Sequence, residues 1–308
     1  MLNIKLSVSF YKKHSRIYNS YILEYIWIDG CGNLRSKYRT VYPTFDSSAD
    51  SAYNYLAVED WNYDDSAHDS EIVLAPVAYF LNPFFDPGRA FLILCETCSA
   101  DGNPTQTNFR CDAVKVFEKG RGRQIDPWFR IEQSAHLAQS DRTITLRKLA
   151  EKHYECCLQA GLKIGGINAE VAPSQWEFRI GPCPGLGAGD ELWVARYILH
   201  KLGEEFGVCI RFKLASASDT LNTTFSTEES RNKNGLKCVY KYIDRLSKKR
   251  TNDDRDDPGF ALGAASTSVR VPKSVLKAGC GHLEDKRPES DADPYRVIAA
   301  IFSGACFD

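Results

Sequence analysis

Three features are scarce in this sequence: long apolar runs, an excess of one charge, and regularly spaced cysteines. No segment reaches the roughly 18 apolar residues of a membrane-spanning helix, and residues 1–20 contain scattered lysines without the apolar core of a signal peptide. Lysine and arginine total 39 against 40 aspartate and glutamate residues, so the net charge favours neither a nucleic acid nor an anionic membrane as a partner. These absences predict a globular protein that binds no membrane and no nucleic acid.

The eleven cysteines are spread along the chain without a disulfide-like framework. An odd number at irregular spacing suits a reducing compartment, which predicts a cytoplasmic protein with free thiols. Cys95 and Cys98 form an isolated Cys-Glu-Thr-Cys. The alternatives are a redox pair, a zinc site shared with the remote Cys280 and His282, or structural thiols in a strand. We favour the structural thiols, because a single such pair lacks a recognisable partner pair.

The chain divides into three predicted segments. Residues 1–20 are polar, residues 21–110 are rich in strand patterns, and residues 111–308 mix helix and strand patterns. In the middle segment, "YILEYIWIDGCGNLRSKYRTV" predicts a hairpin with a glycine-containing turn, and "EIVLAPVAYF" and "AFLILCETC" predict further strands. With 308 residues, of which 43% are hydrophobic, the chain is long enough for one large or two ordinary domains.

Two helices are predicted in the last segment. The stretch "TITLRKLAEKHYECCLQAG" has apolar residues at helical spacing and ends at Gly161. The stretch "GDELWVARYILHKLGEEFGV" repeats this pattern, and Asp190 is the expected N-cap. Because short strand patterns lie beside both helices, the predicted fold class is α+β.

The stretch "INAEVAPSQWEFRI" places Glu170 and Glu177 among residues that favour strands. Pro173 disfavours one continuous strand and is typical of a tight turn. A two-residue turn at Pro173 and Ser174 would place Glu170 directly across from Glu177, where like charges destabilise a sheet. A divalent cation with oxygen ligands, Mg²⁺ or Mn²⁺, would compensate for this repulsion. The alternative is a hairpin whose two carboxylates face solvent.

Several segments, in order along the chain, resemble eukaryotic-type glutamine synthetase from about Tyr21 onward. They are "YIWIDGCGNLRSKYRT", "EDWNYDDS", "DPWFRIEQ", "INAEVAPSQWEFRIGPCPG", "GDELWVARYILHKLGEEFGV", "TTFST", "SVRVPK" and "LEDKRPES". Because many ordered matches are far more specific than one motif, the chain is identified by this resemblance as a member of that family. The resemblance implies an N-terminal β-grasp domain, followed by a catalytic domain with a curved antiparallel sheet and helices.

The resemblance also implies an activity. Members of the family join ammonia to L-glutamate with ATP through a γ-glutamyl phosphate, and they form rings whose active sites lie between adjacent subunits. They use Mg²⁺ or Mn²⁺ ions, which neutralise phosphate charge during the transfer. We therefore expect glutamate, ammonia and ATP as ligands, and a homo-oligomeric ring or a mixed ring with a paralogue.

Four glutamates match metal ligands of the family. Glu170 and Glu177 match two ligands of one ion, and Glu132 and Glu284 match ligands of a second ion. Ser134 stands where the family has the third carboxylate of the first ion. A serine hydroxyl is a weaker ligand than an anionic oxygen.

Other expected ligands are replaced. Asn222 in "TLNTTFST" stands where the family has a metal-binding histidine, and an amide is a neutral, weaker ligand. Ala265 stands at the position of a phosphate-binding arginine. His136 follows Ser134 by two residues and would share its strand face, so it is a candidate replacement ligand; a packing role is the alternative.

The resemblance assigns the remaining site residues. Arg270 in "SVRVPK" and Ser226 in "TTFST" match nucleotide-binding residues. Lys286 replaces an arginine that holds the substrate carboxylate, which keeps the charge but loses the bidentate fork. Asp64 in "WNYDDS" matches the aspartate of a neighbouring subunit that binds ammonium and takes its proton. An exposed turn acid is the alternative for Asp64.

Two segments of the family are shortened or unrecognisable here. The loop after the strand that contains Glu132 and Gln133 is replaced by a short "LAQSDRTI", and the region of the family's flap reads "KKRTNDDRDDPG". Without a flap, the acyl phosphate would be open to water. We therefore expect the family reaction with reduced activity. The alternatives are a non-catalytic homologue with a structural or regulatory role, and an error in the gene model at the two segments.

Overall fold

The structure, a computed structural model, describes residues 4–7, 19–42, 44–45, 54–65, 70–121, 123, 125–138, 144–170, 174–213, 220–248, 260–262 and 268–307. The chain forms two compact units, Met1–Cys111 with Cys156–Leu162, and Asp112–Glu155 with Lys163–Asp308. Largely antiparallel sheets and separate helices make up the fold, so the predicted α+β class is confirmed. None of the described helices has the length and apolarity that crossing a bilayer requires.

Two sheets form the first unit. The larger sheet contains β2 (Tyr21–Ile28), β3 (Leu34–Val41), β6 (Trp61–Asp65), β7 (Ser70–Leu81) and β8 (Ala90–Ser99). Its strand order is β3-β2-β8-β7-β6, and only β2 and β8 run parallel. The smaller sheet contains β1 (Ile4–Ser7), β4 (Thr44–Phe45) and β5 (Asn54–Val58). Its order is β1-β5-β4, with antiparallel pairs.

The predicted hairpin between β2 and β3 is confirmed, and its turn explains the local sequence. The Asp29 carboxylate accepts hydrogen bonds from the backbone N–H groups of Cys31 and Asn33, at 2.9 and 2.8 Å. Gly32 has a φ of 82°, a left-handed conformation that glycine adopts without strain. A turn of this kind starts the second strand in register with the first.

An eight-stranded sheet forms the centre of the second unit. Its strands are β9 (Trp128–Ala138), β10 (Ile164–Ala169), β11 (Gln175–Pro184), β12 (Cys209–Arg211), β13 (Leu221–Ser226), β14 (Phe260–Leu262), β15 (Val269–Val271) and β16 (Leu283–Asp285). The order is β10-β11-β9-β13-β16-β15-β14, and β12 pairs with the end of β9. All pairs are antiparallel except β14 with β15. The long strand β9 pairs with β11, β12 and β13, and so it joins the two halves of the sheet.

The described helices are α1 (Phe109–Gly120), α2 (Ile144–Ala160), α3 (Gly187–Phe206), α4 (Glu228–Arg231), α5 (Leu236–Lys248), α6 (Lys273–Ala278) and α7 (Pro294–Cys306). Both predicted helices are confirmed as α2 and α3, and α2 ends before Gly161, whose φ is 83°. Helix α3 packs on β9, β11 and β12, and α7 packs on α3, α5 and β13. Helices α3 and α7 therefore pack on one face of the eight-stranded sheet.

The predicted N-cap role of Asp190 is wrong. Helix α3 begins at Gly187 with Leu186 as its N-cap, and the backbone N–H of Asp190 already donates to the Leu186 carbonyl at 3.1 Å. Asp190 therefore lies inside the first turn, where it is buried and accepts a hydrogen bond from the Tyr295 hydroxyl at 2.6 Å. This acid joins α3 to α7 and does not cap the helix.

Alternation along β9 separates the two faces of the sheet. Phe129, Ile131 and Gln133 are fully buried on the helical side. Arg196 of α3 is also buried there, and its Nε and Nη2 donate to Gln133 Oε1 at 2.8 and 2.6 Å. Because side chains alternate along a strand, Glu132 lies on the other face, away from these helices.

Candidate functional site

The face of the eight-stranded sheet opposite the helices carries most of the predicted site residues. Glu132 of β9 lies directly opposite Arg179 of β11 and Asn222 of β13. Glu284 of β16 lies opposite Thr224 and Arg270. Directly paired residues project to the same side of a sheet. We call this side the polar face, defined by Glu132, Ser134, Glu170, Glu177, Arg179, Asn222, Arg270 and Glu284.

The hairpin between β10 and β11 differs from its predicted register. Asn168 lies opposite Glu177, and the backbone N–H of Glu170 donates to the carbonyl of Gln175 at 3.0 Å. The predicted direct pairing of Glu170 with Glu177 is therefore wrong, and the two carboxylates are diagonal neighbours. The connection spans residues 171–174 rather than two residues, and Ser174 has a left-handed φ of 67°. A shift of two residues keeps both glutamates on the same face, because strand side chains repeat every two residues.

Pro173, on which the turn prediction depended, lies outside the described residues. Ser134 lies directly opposite Glu177 and is only 3% exposed. Its hydroxyl donates to Glu177 Oε1 at 3.2 Å. The position where the resemblance expects a third carboxylate is thus occupied by a neutral hydroxyl, which donates a hydrogen bond to one oxygen of Glu177.

Glu177 lies in an electrostatically unfavourable place for a carboxylate. Burial, the charge of Glu132, and hydrogen bonding and charge from Glu170 raise the pKa of Glu177 to about 7, while the Ser134 hydrogen bond lowers it. The side-chain amide of Asn168 donates to Glu170 Oε1 at 2.7 Å. Within the described part of the chain, neither Glu170 nor Glu177 forms an ion pair with lysine or arginine. This pair is a place where an external cation would stabilise the ionised form.

Glu132 has a different environment on the same face. Arg179 Nε and Nη2 each lie 2.7 Å from Glu132 Oε1. The Asn222 amide nitrogen donates to Glu132 Oε2 at 3.1 Å. Both oxygens of this carboxylate are therefore occupied by donors from neighbouring strands. Glu132 in turn raises the pKa of Arg179, and the charges of Glu177 and Glu284 act in the same direction.

Glu284 is also held by a guanidinium. Arg270 Nε lies 2.5 Å from Glu284 Oε2, and both side chains are largely buried. The residue predicted to bind nucleotide is thus paired with a residue predicted to bind metal. Asn222 Oδ1 is buried and has no hydrogen-bond partner among the described atoms. This amide oxygen lies beside the Glu132 ion pair and has an unused lone pair.

These contacts decide which implied metal ion the residues fit. Glu170, Glu177 and the Ser134 hydroxyl offer the hard oxygen ligands that Mg²⁺ and Mn²⁺ prefer, and no described lysine or arginine pairs with either carboxylate, so they fit the first ion. Glu132 and Glu284 do not fit a second ion, because each already holds a guanidinium. Over the described ranges, no group of three or more Asp, Glu, His or Cys side chains is arranged to hold a metal.

The other predicted site residues lie at several places. Ser226 ends β13, and its hydroxyl accepts a hydrogen bond from Arg231 Nη1 at 3.1 Å. Lys286 follows β16, where its backbone N–H donates to the carbonyl of Ser268 at 2.7 Å. Asp64 lies in β6 of the first unit, opposite Glu71, and its side chain is outside what the structure describes.

The predictions for His136, for Ala265 and the two shortened segments, and for the cysteines have different outcomes. His136 is buried on the strand face of Ser134, opposite Gln175, and its role as a replacement ligand stays a prediction. Ala265, most of the "LAQSDRTI" loop and most of the "KKRTNDDRDDPG" segment lie outside the described residues. All eleven cysteines are free thiols, as predicted. Burial raises the pKa of the Cys95 thiol well above its usual range, which disfavours a reactive thiolate.

Sequence reasoning missed two arginines. Arg179 follows Glu177 by two residues, so strand alternation alone places it on the polar face. Arg231 pairs with Asp126 and lies 5.5 Å from the centre of the Trp128 ring, beside Ser226. No local pattern marks its ion pair, because Asp126 lies 105 residues away in the chain.

No family model matches the chain. The chain is 37% identical over 339 residues to glutamine synthetase of Saccharomyces cerevisiae, covering 92% of this chain and 89% of that protein. It is 36% identical to glutamine synthetase of Eremothecium gossypii, with the same coverage. It is 37% identical to glutamine synthetase of Agaricus bisporus, covering 92% of this chain and 93% of that protein.

Proposed function

The chain belongs to the glutamine synthetase family, and from this premise we propose that it catalyses the ATP-dependent ligation of ammonia to L-glutamate at a reduced rate. The observation that carries the proposal is the pair Glu170 and Glu177. Both lie on one face of the sheet, neither forms an ion pair among the described residues, and the pKa of Glu177 is raised to about 7 by burial and by neighbouring carboxylates. An enzyme that uses a divalent ion benefits from such a preorganised pair of ligands.

The proposed roles of the chain's own residues follow from their chemistry. Glu170 and Glu177 would hold a Mg²⁺ or Mn²⁺ ion, which would supply positive charge to neutralise phosphate oxygens. Lys286 attracts the substrate carboxylate as a point charge. Arg270 and Ser226 contact the ATP phosphates, and Arg270 must then share its guanidinium between Glu284 and the nucleotide. Glu284 positions Arg270 through their ion pair.

We propose that Asp64 acts across a subunit boundary. An aspartate that binds ammonium holds the cation by charge and hydrogen bonds, and it then accepts a proton as the amine forms. The proposed assembly is a ring, either homo-oligomeric or mixed with a paralogue, in the cytoplasm. The support for this assembly is the family membership of the chain.

The test of the reaction is direct. Purified protein is incubated with glutamate, ammonia, ATP and Mn²⁺ or Mg²⁺, and glutamine and ADP are measured. We expect both products, and we expect Glu177→Gln to lower their rate of formation at least a hundredfold, since it removes a metal-binding charge. Glu155→Gln on the exposed surface of α2 is the matched control and should leave the rate unchanged. Equal rates in wild type and Glu177→Gln would contradict the proposed site.

A second candidate function is a non-catalytic homologue with a structural or regulatory role. It is favoured by Ser134 at the third ligand position and by the Arg179 ion pair on Glu132. Under this alternative, no glutamine or ADP forms, while size-exclusion chromatography with light scattering shows an intact ring. Products that depend on Glu177 would exclude it.

A further inference from the structure

The Arg179 side chain occupies the part of the polar face where a second cation would lie. It projects from β11 between Gly166 of β10 and Glu132 of β9, which are its two cross-strand neighbours. Glycine presents no side chain on one side, so Glu132 is the only directly opposite side chain. The guanidinium meets it with Nε and Nη2, each 2.7 Å from Oε1.

The donors around Glu132 leave it little capacity for a metal. Its Oε1 accepts from two guanidinium nitrogens, and its Oε2 accepts from the Asn222 amide at 3.1 Å. A divalent ion bound to Glu132 would have to displace these donors, and it would also lie beside a fixed positive charge. Arginine is charged at every accessible pH, so this repulsion is permanent.

The charge of Arg179 serves more than one carboxylate. Glu177 and Glu284 also stabilise the guanidinium electrostatically. Glu284, the other expected ligand of the second ion, has its own partner in Arg270 at 2.5 Å. Glu132 and Glu284 are therefore paired with guanidinium groups of the chain itself, whereas neither Glu170 nor Glu177 forms an ion pair among the described residues.

We propose that Arg179 replaces the second divalent ion as a built-in monovalent cation, so that the polar face binds one divalent ion per chain, at Glu170 and Glu177. This inference deepens the proposed function of the same site and rests on it only for the expectation that the hairpin carboxylates bind a metal. Arg179 is a positioning residue here, because it acts through Glu132.

The test counts bound Mn²⁺ without substrates. Metal-free protein is titrated with Mn²⁺ at pH 8, and free Mn²⁺ is followed by electron paramagnetic resonance. We expect one Mn²⁺ per chain in the wild type. Arg179→Gln should bind a second Mn²⁺, with an affinity at least tenfold higher than any second binding in the wild type. Arg179→Lys, which keeps the charge, should stay at one.

Controls separate the charge from other causes. Arg147→Gln removes an exposed arginine that pairs with Glu151 on α2, and it should leave one Mn²⁺ per chain. Glu177→Gln should abolish the single binding event of the wild type. Circular dichroism and a cooperative thermal transition check that each variant is folded.

Three results would overturn the proposal: two or more Mn²⁺ in the wild type, an unchanged count in folded Arg179→Gln, or no Mn²⁺ in both. Failure of the proposed function is distinguishable from these results. A chain that binds one Mn²⁺, gains a second in Arg179→Gln and yet forms no glutamine would refute the reaction and retain the inference.

Discussion

The polar face has two parts that solve the same electrostatic problem in different ways. The hairpin part comprises Glu170, Glu177 and Ser134, and in the part of the chain that the structure describes neither of its carboxylates forms an ion pair. The arginine part comprises the pairs of Glu132 with Arg179 and of Glu284 with Arg270. In the hairpin part, an external ion or a proton is needed to relieve the repulsion between Glu170 and Glu177. In the arginine part, Arg179 and Arg270 supply the opposite charge. The same residue type on one sheet is thus a ligand candidate or an ion-pair partner, depending on its cross-strand neighbour.

Adding a third carboxylate to the hairpin part should have the largest effect. In Ser134→Glu, the new side chain would lie directly opposite Glu177, where Ser134 is 3% exposed. We expect the metal-free protein to lose about 2–3 kcal/mol of unfolding free energy, since a buried like charge is added. Mn²⁺ should reverse the loss and bind at least tenfold more tightly than to wild type. Urea unfolding with and without Mn²⁺ measures both effects, and Ser134→Gln controls for size. A variant that Mn²⁺ does not rescue would contradict the ligand geometry of the hairpin part.

The hairpin part should also make the stability of the metal-free protein depend on pH. The pKa of Glu177 is about 7 in the folded chain against an ordinary value of 4.5. Between these values the folded state binds more protons than the unfolded state, so stability falls as pH rises through this range. Because the group is half-exposed, we expect a loss of about 1–2 kcal/mol between pH 4.5 and 8 from this residue.

Comparison with a variant isolates that contribution. Glu177→Gln should lose less stability than wild type between these pH values, whereas Glu155→Gln on α2 should follow the wild-type curve. Urea unfolding without metal at several pH values gives the difference. Parallel curves of unfolding free energy against pH for wild type and Glu177→Gln would show that the pKa of Glu177 is not raised in the folded protein.

The arginine part should show a measurable coupling between Arg270 and Glu284. Their side chains are 24% and 14% exposed, so solvent screens the pair only partly. A double-mutant cycle with Arg270→Gln and Glu284→Gln should give a coupling of about 1–1.5 kcal/mol. Raising the salt concentration should weaken it modestly. A coupling of zero would show that Arg270 does not stabilise the charge of Glu284, and the two parts of the polar face would then not differ in this respect.

The smallest effect is expected for Arg179 and Glu132. Arg179 is 50% exposed, so its ion pair should contribute about 0.5 kcal/mol in the same kind of cycle, despite its two short contacts. The variants Arg179→Gln and Glu132→Gln provide the cycle. A coupling larger than that of Arg270 with Glu284 would reverse the order expected from exposure.

Local patterns predicted the strands and helices well, and the register poorly. The hairpin of β2 and β3 follows from an Asp-Gly turn whose side-chain hydrogen bonds are local. The hairpin of Glu170 and Glu177 has a connection of residues 171–174, and its length is not evident from Pro173 alone. The face was predicted correctly, because a shift of two residues preserves it, while the direct pairing was wrong. Asp190 likewise has the residue type of an N-cap but is used as a buried hydrogen-bond acceptor for Tyr295.

The sequence by itself determined the α+β class, the two long helices, the shared face of Glu170 and Glu177, and the resemblance that the relatives confirm. Only the tertiary structure decided which carboxylate meets which partner. Ser134 reaches Glu177 across 43 residues of chain, and Arg179 reaches Glu132 across 47. Such pairs depend on strand order and register, which arise from the packing of the whole sheet, whereas periodicity and turn chemistry act over a few neighbouring residues.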